Sequence, residues 1–285
     1  MEKHRLSFYT RAMNRSFIKM HGLGNDFVIL DSRADGYIPD EAACRAIADR
    51  KRGVGCDQIV ILAPPQSPEA DLFMHMYNCD GSLVRACGNA TRCVGRLLFE
   101  ETGRDRAVIQ TVSGLLKVWA EPNGHIAADF GPPRLQWQDI PLAQAADTLS
   151  VPLRVGELAD PCCVNVGNPH AVFFVPDVEA VPLAEVGPKL ETHPLFPDRA
   201  NIEIAQVIDR GHIRMRVWER GAGITEACGS GACATLVAAV RRGLTDRRAT
   251  VTPDGGALSI EWREDGSIIM SGPASRSFQG MLTEG

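Results

Sequence analysis

Two short phrases carry the residues best suited to chemistry. The first is ACGNATRC, Ala86 to Cys93, and the second is ACGSGACA, Ala227 to Ala234. Their equivalent cysteines, Cys87 and Cys228, lie about half of the 285-residue chain apart. Each cysteine is followed by a glycine, Gly88 or Gly229, and a polar capping residue, Asn89 or Ser230. Each phrase then runs into an apolar helical stretch that ends at Gly103 or Gly243. The pattern predicts a duplicated module, each copy presenting one thiol at a helix N-terminus. A helix N-terminus favours the thiolate of a cysteine whose free pKa is about 8.5. The unpaired N–H groups beside it can also hold a carboxylate. Two such ends at one cleft would grip one α-carboxylate. A thiolate on one face could take the α-proton while a thiol on the other face delivers one. Oriented N–H donors would meet the negative charge pushed onto the carboxylate. Inversion at one carbon is the expected outcome.

The elements that must position these thiols can be read in order. In the first half, Phe17–Met20 and Phe27–Leu30 are apolar runs joined by a turn-prone stretch, His21 to Asp26. Asp40 is a helix cap, and the helix is expected to run through Lys51. Gln58–Leu62 is β-rich, and Asp71–Tyr77 alternates, with Leu72, Met74 and Met76 on one face. Val108–Thr111 and Leu115–Trp119 are further strands. Gly131-Pro132-Pro133 marks the boundary. The second half repeats the order, with strands at Cys163–Val166, Ala171–Val175, Asn201–Ile208, His212–Trp218, Thr250–Thr252, Leu258–Trp262 and Ile268–Ser271. A helix between Pro182 and Glu191 is expected to be interrupted at Gly187-Pro188. The stretch Ala232–Val240 is apolar nearly all round, so it should be buried. The fold class expected is α+β: two pseudo-symmetric domains, each a mostly antiparallel sheet wrapped around a central helix. The expected limits are a tail over 1–15, an N-terminal domain over 16–132 to which 274–285 is a candidate to return, and a C-terminal domain over 133–273.

Composition narrows the function. A net charge of −5, with no basic patch interleaved with aromatics, argues against a nucleic-acid partner. No apolar run reaches the ~20 residues needed to span a bilayer. The N-terminus lacks the apolar middle of a secretory signal, and the nine cysteines are odd in number and scattered. They read as reduced thiols of a cytoplasmic protein. Packing is the expected role of Cys44, Cys56, Cys79, Cys162, Cys163 and Cys233. No CxxC occurs, and Cys87 and Cys93 are too far apart for a structural-zinc knuckle, so no metal is expected. Neither GxGxxG nor GxxxxGK[ST] is present, and none of the five lysines has a recognisable Schiff-base context.

Eight colinear motifs carry a resemblance. They are FIKMHGLGNDF (Phe17–Phe27), GVGCDQ (Gly53–Gln58), YNCDGS (Tyr77–Ser82), ACGNATRC, NVGNPH (Asn165–His170), RANIE (Arg199–Glu203), WERG (Trp218–Gly221) and ACGSGACA. Together the series resembles that of the diaminopimelate epimerases. The resemblance implies cofactor-independent interconversion of LL- and meso-diaminopimelate, in lysine and cell-wall precursor biosynthesis, by a homodimer. It implies that Cys87 and Cys228 are the acid/base pair and that His170 and Glu219 tune their protonation. It carries substrate contacts to Asn25, Gln58, Asn78, Gly88, Asn89, Asn168, Asn201, Glu219, Arg220, Gly229 and Ser230. These types suit a small molecule with two carboxylates and two ammonium groups. Arginine holds a carboxylate bidentately, and side-chain amides both donate and accept.

Three positions depart from the family pattern. Ala90 stands where a glycine is expected, which would reduce backbone freedom after Asn89. Ile224 stands where the common form has a glutamate, so the loop before Cys228 needs another support. Phe278 stands where the family often has a tyrosine at the dimer contact. Two rival readings remain: a proline or hydroxyproline epimerase, and a thiol redox sensor or small-molecule binding protein. Arg220 and Asn201 weigh against the first. The many amide side chains weigh against the second.

Overall fold

The computed structural model describes residues 14–85 and 87–283. The expected tail lies outside that range except for Asn14 and Arg15, which begin the first strand. β1 (Asn14–Gly22) and β2 (Asn25–Asp31) form a hairpin. Leu23 and Gly24 close it, both at positive φ, 56° and 86°. Helix α1 (Glu41–Ala48) is capped by Asp40, which accepts a bond of 2.8 Å from the Ala43 N–H. It stops short of Lys51. Asp49 is extended, and its carboxylate accepts from the N–H groups of Lys51 and Arg52, so the helical ladder cannot continue. There follow β3 (Gln58–Ala63), β4 (Leu72–Asn78), β5 (Leu83–Val84), α2 (Gly88–Thr102), β6 (Arg106–Thr111), β7 (Gly114–Ala120) and β8 (Ile126–Asp129).

A small hairpin of β9 (Arg154–Val155) and β10 (Leu158–Ala159) precedes the second set. That set is β11 (Cys162–Asn165), β12 (Pro169–Phe174), α3 (Leu183–Glu191), β13 (Asn201–Asp209), β14 (His212–Glu219), β15 (Gly223–Thr225), α4 (Gly229–Arg241), β16 (Arg248–Thr252), β17 (Leu258–Trp262) and β18 (Ile268–Gly272). The chain closes with β19 (Ser275–Thr283). Helix α3 runs through Gly187-Pro188 without interruption. Gly187 is needed there, because a Cβ would stand 2.6 Å from the Trp218 ring. β8 has no clear signal in the sequence: IAAD is short and alanine-rich.

The two halves repeat one ladder. In the first, β1/β2 is antiparallel, β2/β3 parallel, β3/β4 antiparallel, β4/β6 parallel, and β6/β7/β8 antiparallel. In the second, β11/β12, β12/β13, β13/β14, β14/β16 and β16/β17/β18 follow in the same senses. The fold is α+β, with sheets that are mostly antiparallel. β18 pairs with β8, and β19 runs back antiparallel to β1, so the ladders of the halves join. Among the described residues no helix is long and apolar enough to cross a membrane.

Each half wraps its sheet around one helix. Ala90, Cys93, Val94, Leu97 and Leu98 of α2 pack against Met20, Leu72, Met74, Ile109 and Val118. Around α4, Leu236 and Val237 pack with Met215, Val251 and Ile260. Ten residues of α4 are buried, on all sides of the helix. Burial of a leucine or valine contributes roughly 1.5–3 kcal/mol, so these two cores fix where the helices begin. Ala90 lies within α2, fully buried and without positive φ, so the alanine costs no backbone freedom. We expect Leu236→Ala to cost about 2–5 kcal/mol by urea unfolding. Leu115→Ala, on an exposed side chain of β7, should stay within about 0.5 kcal/mol. Equal losses would contradict the placement of α4 at the centre of its half.

Candidate active site

Both thiols stand at the N-caps of buried helices. Cys228 caps α4, its sulfur accepting from the Gly231 N–H at 3.3 Å and lying 3.4 Å from Ser230 Oγ. Cys87 occupies the same place on α2 without a side-chain cap bond. Its sulfur is 3.6 Å from Asn25 Oδ1. The glycines that follow have no room for side chains. A Cβ at Gly88 would meet both Met270 and Phe130 at 2.6 Å, and one at Gly229 would meet Met270 Sδ at 3.0 Å. Met270 of β18 therefore packs against both helix starts.

Asn89 ties the two ends together. Its Nδ2 donates to Asn25 Oδ1 at 3.2 Å and to the carbonyl of Ala227, the residue before Cys228, at 3.3 Å. Asn25 is itself oriented by Asp57, whose Oδ2 accepts from Asn25 Nδ2 and from the Asp26 N–H. Arg50 bridges Asp26 and Asp57, and Lys19 pairs with Asp26 at 2.7 Å. Among the first-half candidates, Gln58 and Asn78 face each other across β3 and β4 at 3.5 Å. Gln58 Oε1 is buried and has no partner among the described residues.

The second half supplies the acids and the histidine. Glu219 ends β14 and accepts from Thr225 Oγ1 of β15. Thr225 and the β14–β15 pairing, including Trp218 opposite Ile224, support the loop before Cys228; Ile224 itself is exposed. His170 is fully buried, with Nδ1 2.6 Å from Glu203 Oε1 and Nε2 2.9 Å from Asn168 Oδ1. Asn201 donates to the Pro169 carbonyl and accepts from the Arg220 N–H at 2.9 Å. Arg220 is exposed and donates from Nη1 to the Asp198 carbonyl. Phe278 stands outside this cluster, on β19, with its ring edge on Phe17.

Three contributors escaped sequence reasoning. Glu203 sits within the RANIE phrase, but a lone glutamate on a strand reads as a solvated face. It is fully buried, and its Oε1 lies close to Gly231, where a Cβ would be 2.8 Å away. Glu191 of α3 accepts from the Trp218 indole at 2.7 Å and from the Gly221 N–H, which anchors the segment bearing Glu219 and Arg220. Asp57 is the third. Its position next to Gln58 in GVGCDQ is the one signal that points to it.

The electrostatics correct one expectation. The helix ends do favour thiolate, but burial outweighs them. Burial pushes the Cys87 thiol up to about 11, with Glu219 adding to the rise and Arg92 and the Asn89 and Ala90 N–H groups opposing it. Cys228 is pushed well above the ordinary value by burial, then by Glu219 and Glu203. Burial also raises Glu219, against the pull of its bond to Thr225. Cys228 thus faces two carboxylates, whereas Cys87 faces one carboxylate and one guanidinium. Burial therefore favours the thiol form at both sulfurs.

Raised thiol values favour the neutral, folded form below pH ~9, and that contribution fades as pH climbs toward the folded values. Melting temperature should therefore fall between pH 9 and about 11. Alkylation of Cys87 by iodoacetamide at pH 8 should be about a hundredfold slower than for a free cysteine, by two pKa steps. Free-thiol reactivity at that pH would contradict the burial argument.

Known proteins share both the sequence and the fold. The pattern of the family described as diaminopimelate epimerase matches residues 17–136 and 162–277. A diaminopimelate epimerase of Rhodospirillum centenum is 60% identical over 272 residues, covering 95% of this chain and 94% of its own length. One from Phenylobacterium zucineum is 52% identical over 275 residues, covering 95% and 99%. Among solved structures, a hydroxyproline epimerase from Agrobacterium vitis superposes with a TM-score of 0.69 at 14% identity, over 95% of this chain and 93% of that one. A PhzF-family phenazine biosynthesis protein from Bacillus anthracis gives 0.67 at 18%, over 95% and 99%. The structural neighbours share the architecture alone. The sequence relatives cover 95% of this chain, and with the family pattern matched across both halves they place this chain in the diaminopimelate epimerase family.

Proposed function

We propose that the chain interconverts LL- and meso-diaminopimelate by a cofactor-independent two-base mechanism, in lysine and cell-wall precursor biosynthesis. The observation that carries the reading is the pairing of two cysteines at helix N-termini, Cys228 buried and Cys87 half-buried, bridged by Asn89. The α-carboxylate would sit on the first-turn N–H groups of α2 and α4. Its α-ammonium would bring positive charge beside Cys87, which offsets the burial that disfavours the thiolate. The Cα–H bond then breaks, the proton forms S–H on Cys87, and the electron pair moves into the carboxylate. The Cys228 S–H bond breaks as its proton joins the opposite face of the same carbon. The thiolate has moved across the cleft, and the reverse reaction starts from there. Glu219 and His170, with Glu203 behind the histidine, would set which sulfur holds the proton.

The distal amino-acid head requires donors and acceptors of its own. Asn25, Gln58, Asn78, Asn168, Asn201 and Arg220 are the set proposed for it, alongside the main chain and side chains at Gly88, Asn89, Glu219, Gly229 and Ser230. The repeated ladders support the division into domains over 16–132 and 133–273, with 274–285 joined to the first through β19. The exposed Phe278 and Met281 of β19 are the proposed contact of a homodimer. The reading is of a cytoplasmic enzyme acting on a small molecule, with no nucleic-acid or membrane partner.

Purified chain given LL-diaminopimelate should yield the meso isomer by chiral chromatography, and should leave proline and hydroxyproline unchanged. Turnover of proline in place of diaminopimelate would favour the rival epimerase. Cys87→Ala and Cys228→Ala should each lose about 10²–10⁴-fold, since each direction needs a base and an acid. Near-normal turnover by either would rule out a two-base mechanism. Arg220→Met should raise KM and lower kcat/KM, because binding at the remote end also positions the α-carbon. Wild-type kinetics would move the distal pocket elsewhere.

A further inference from the structure

Arg92 is the largest fully buried side chain among the described residues, and none of their carboxylates pairs with it. Its donors are spent on neutral acceptors. Nη2 donates to Asn89 Oδ1 at 2.8 Å, Nε to the Pro273 carbonyl at 3.2 Å, and Nη1 lies 3.4 Å from the Gly88 carbonyl and 3.5 Å from Met270 Sδ. The backbone is built close around it: a Cβ at Gly22 would stand 3.0 Å from Nη2, and one at Gly272 would stand 3.4 Å from Nε. A buried arginine normally brings its counter-charge with it, because an unpaired cation in the interior is costly. The equivalent position on α4, five residues after the cysteine, is the neutral Cys233. The duplication does not repeat the cation on α4.

Two consequences follow from these contacts. First, Arg92 determines which way the Asn89 amide points. With Oδ1 taken by the guanidinium, Nδ2 must face Asn25 and Ala227. That one amide is the bridge between the residue oriented against the Cys87 sulfur and the residue before Cys228. Secondly, the guanidinium is a fixed positive charge at the first turn of α2, with Nη1 3.4 Å from the carbonyl of Gly88, the residue after Cys87. The charged groups acting on that sulfur are Arg92 from α2, which favours the thiolate, and Glu219 from β14, which opposes it; Asp57 lies beyond Asn25. Burial weighs against the arginine's own charge, yet an arginine stays protonated in a protein.

We propose that Arg92 is a positioning residue for the reaction, the built-in counter-charge of the anion the cleft must hold and the group that aims the Asn89 bridge between the two thiols. The anion is the Cys87 thiolate before proton transfer and the charge-laden carboxylate during it. The assignment rests on the epimerase reading for its effect on turnover. Its effect on the Cys87 sulfur is measurable without substrate, so the two can fail separately.

The test uses Arg92→Met, which keeps bulk without charge, and Arg92→Lys, which keeps charge without the planar fork. Iodoacetamide alkylation at pH 8.5 is followed at each cysteine by peptide mass spectrometry, beside kcat, KM and thermal melting. Arg92→Met should slow alkylation of Cys87 about tenfold, one pKa step, and leave Cys228 within about twofold. Its kcat should fall about tenfold or more. Arg92→Lys should return Cys87 alkylation to near the native rate while kcat stays depressed, because lysine cannot hold Asn89 in one orientation. A folded methionine variant with native Cys87 alkylation, or with native kcat, overturns the proposal. So does a lysine variant whose Cys87 is slowed as much as in the methionine variant. If the methionine chain does not fold, the lysine variant decides: native alkylation with lowered kcat supports the proposal, and any other combination overturns it.

Discussion

One side-chain amide joins the two halves at the point where chemistry is proposed. Asn89 begins α2 and donates both to Asn25, beside Cys87, and to the carbonyl that precedes Cys228. A hydrogen bond of this kind has a modest net worth, about 1 kcal/mol. Its importance is geometric, because it sets the two helix N-termini in register. The large energies lie elsewhere, in the apolar shells around α2 and α4. Those shells fix the helices; the amide, Met270 and the two post-cysteine glycines fix how their ends meet. β8–β18 and β1–β19 pairing holds the halves so that this meeting is maintained.

The same closeness creates an electrostatic conflict. A proton-abstracting thiolate is wanted in a place where burial disfavours it. The structure meets the conflict unequally on the two sides. At Cys228 both Glu219 and Glu203 oppose the thiolate, while at Cys87 Glu219 opposes it and Arg92 favours it. Two pseudo-equivalent cysteines are thereby given different electrostatic surroundings by neighbours that the duplication does not repeat. A single α-ammonium entering the cleft is enough in principle to bring the thiolate within reach, since one charge at about 4 Å shifts a buried acid by several units.

Much of this is legible in the amino-acid sequence. The cysteine phrases, the buried α4 and the alternation of β4 follow from local pattern, and each survives folding because packing reinforces it. The limits of legibility are equally physical. Glu203 and Arg92 carry the residue types of a solvated surface, and only the strand and helix packed over them bury them. The direction of the thiol shifts is hidden for the same reason: helix capping is local, whereas desolvation is a property of the closed cleft. α1 ends early because Asp49 finds main-chain donors in a turn. α3 continues through Gly187-Pro188 because the glycine lets the helix lie against Trp218. Ile224 leaves no gap, since Thr225 and the β14–β15 ladder take up the support.

The central claim is that two sulfurs face one α-carbon from opposite sides. It is tested most directly by following deuterium at early conversion. LL-diaminopimelate is turned over in D2O, and the first few per cent of meso product and the remaining substrate are separated and analysed by mass. A base on one face and a separate acid on the other predict one deuterium in the product and none in the recovered substrate. Deuterium in both pools at equal rate, or product that retains the original hydrogen, would mean that one group handles the proton on both faces, and the account given for Cys87 and Cys228 would be wrong.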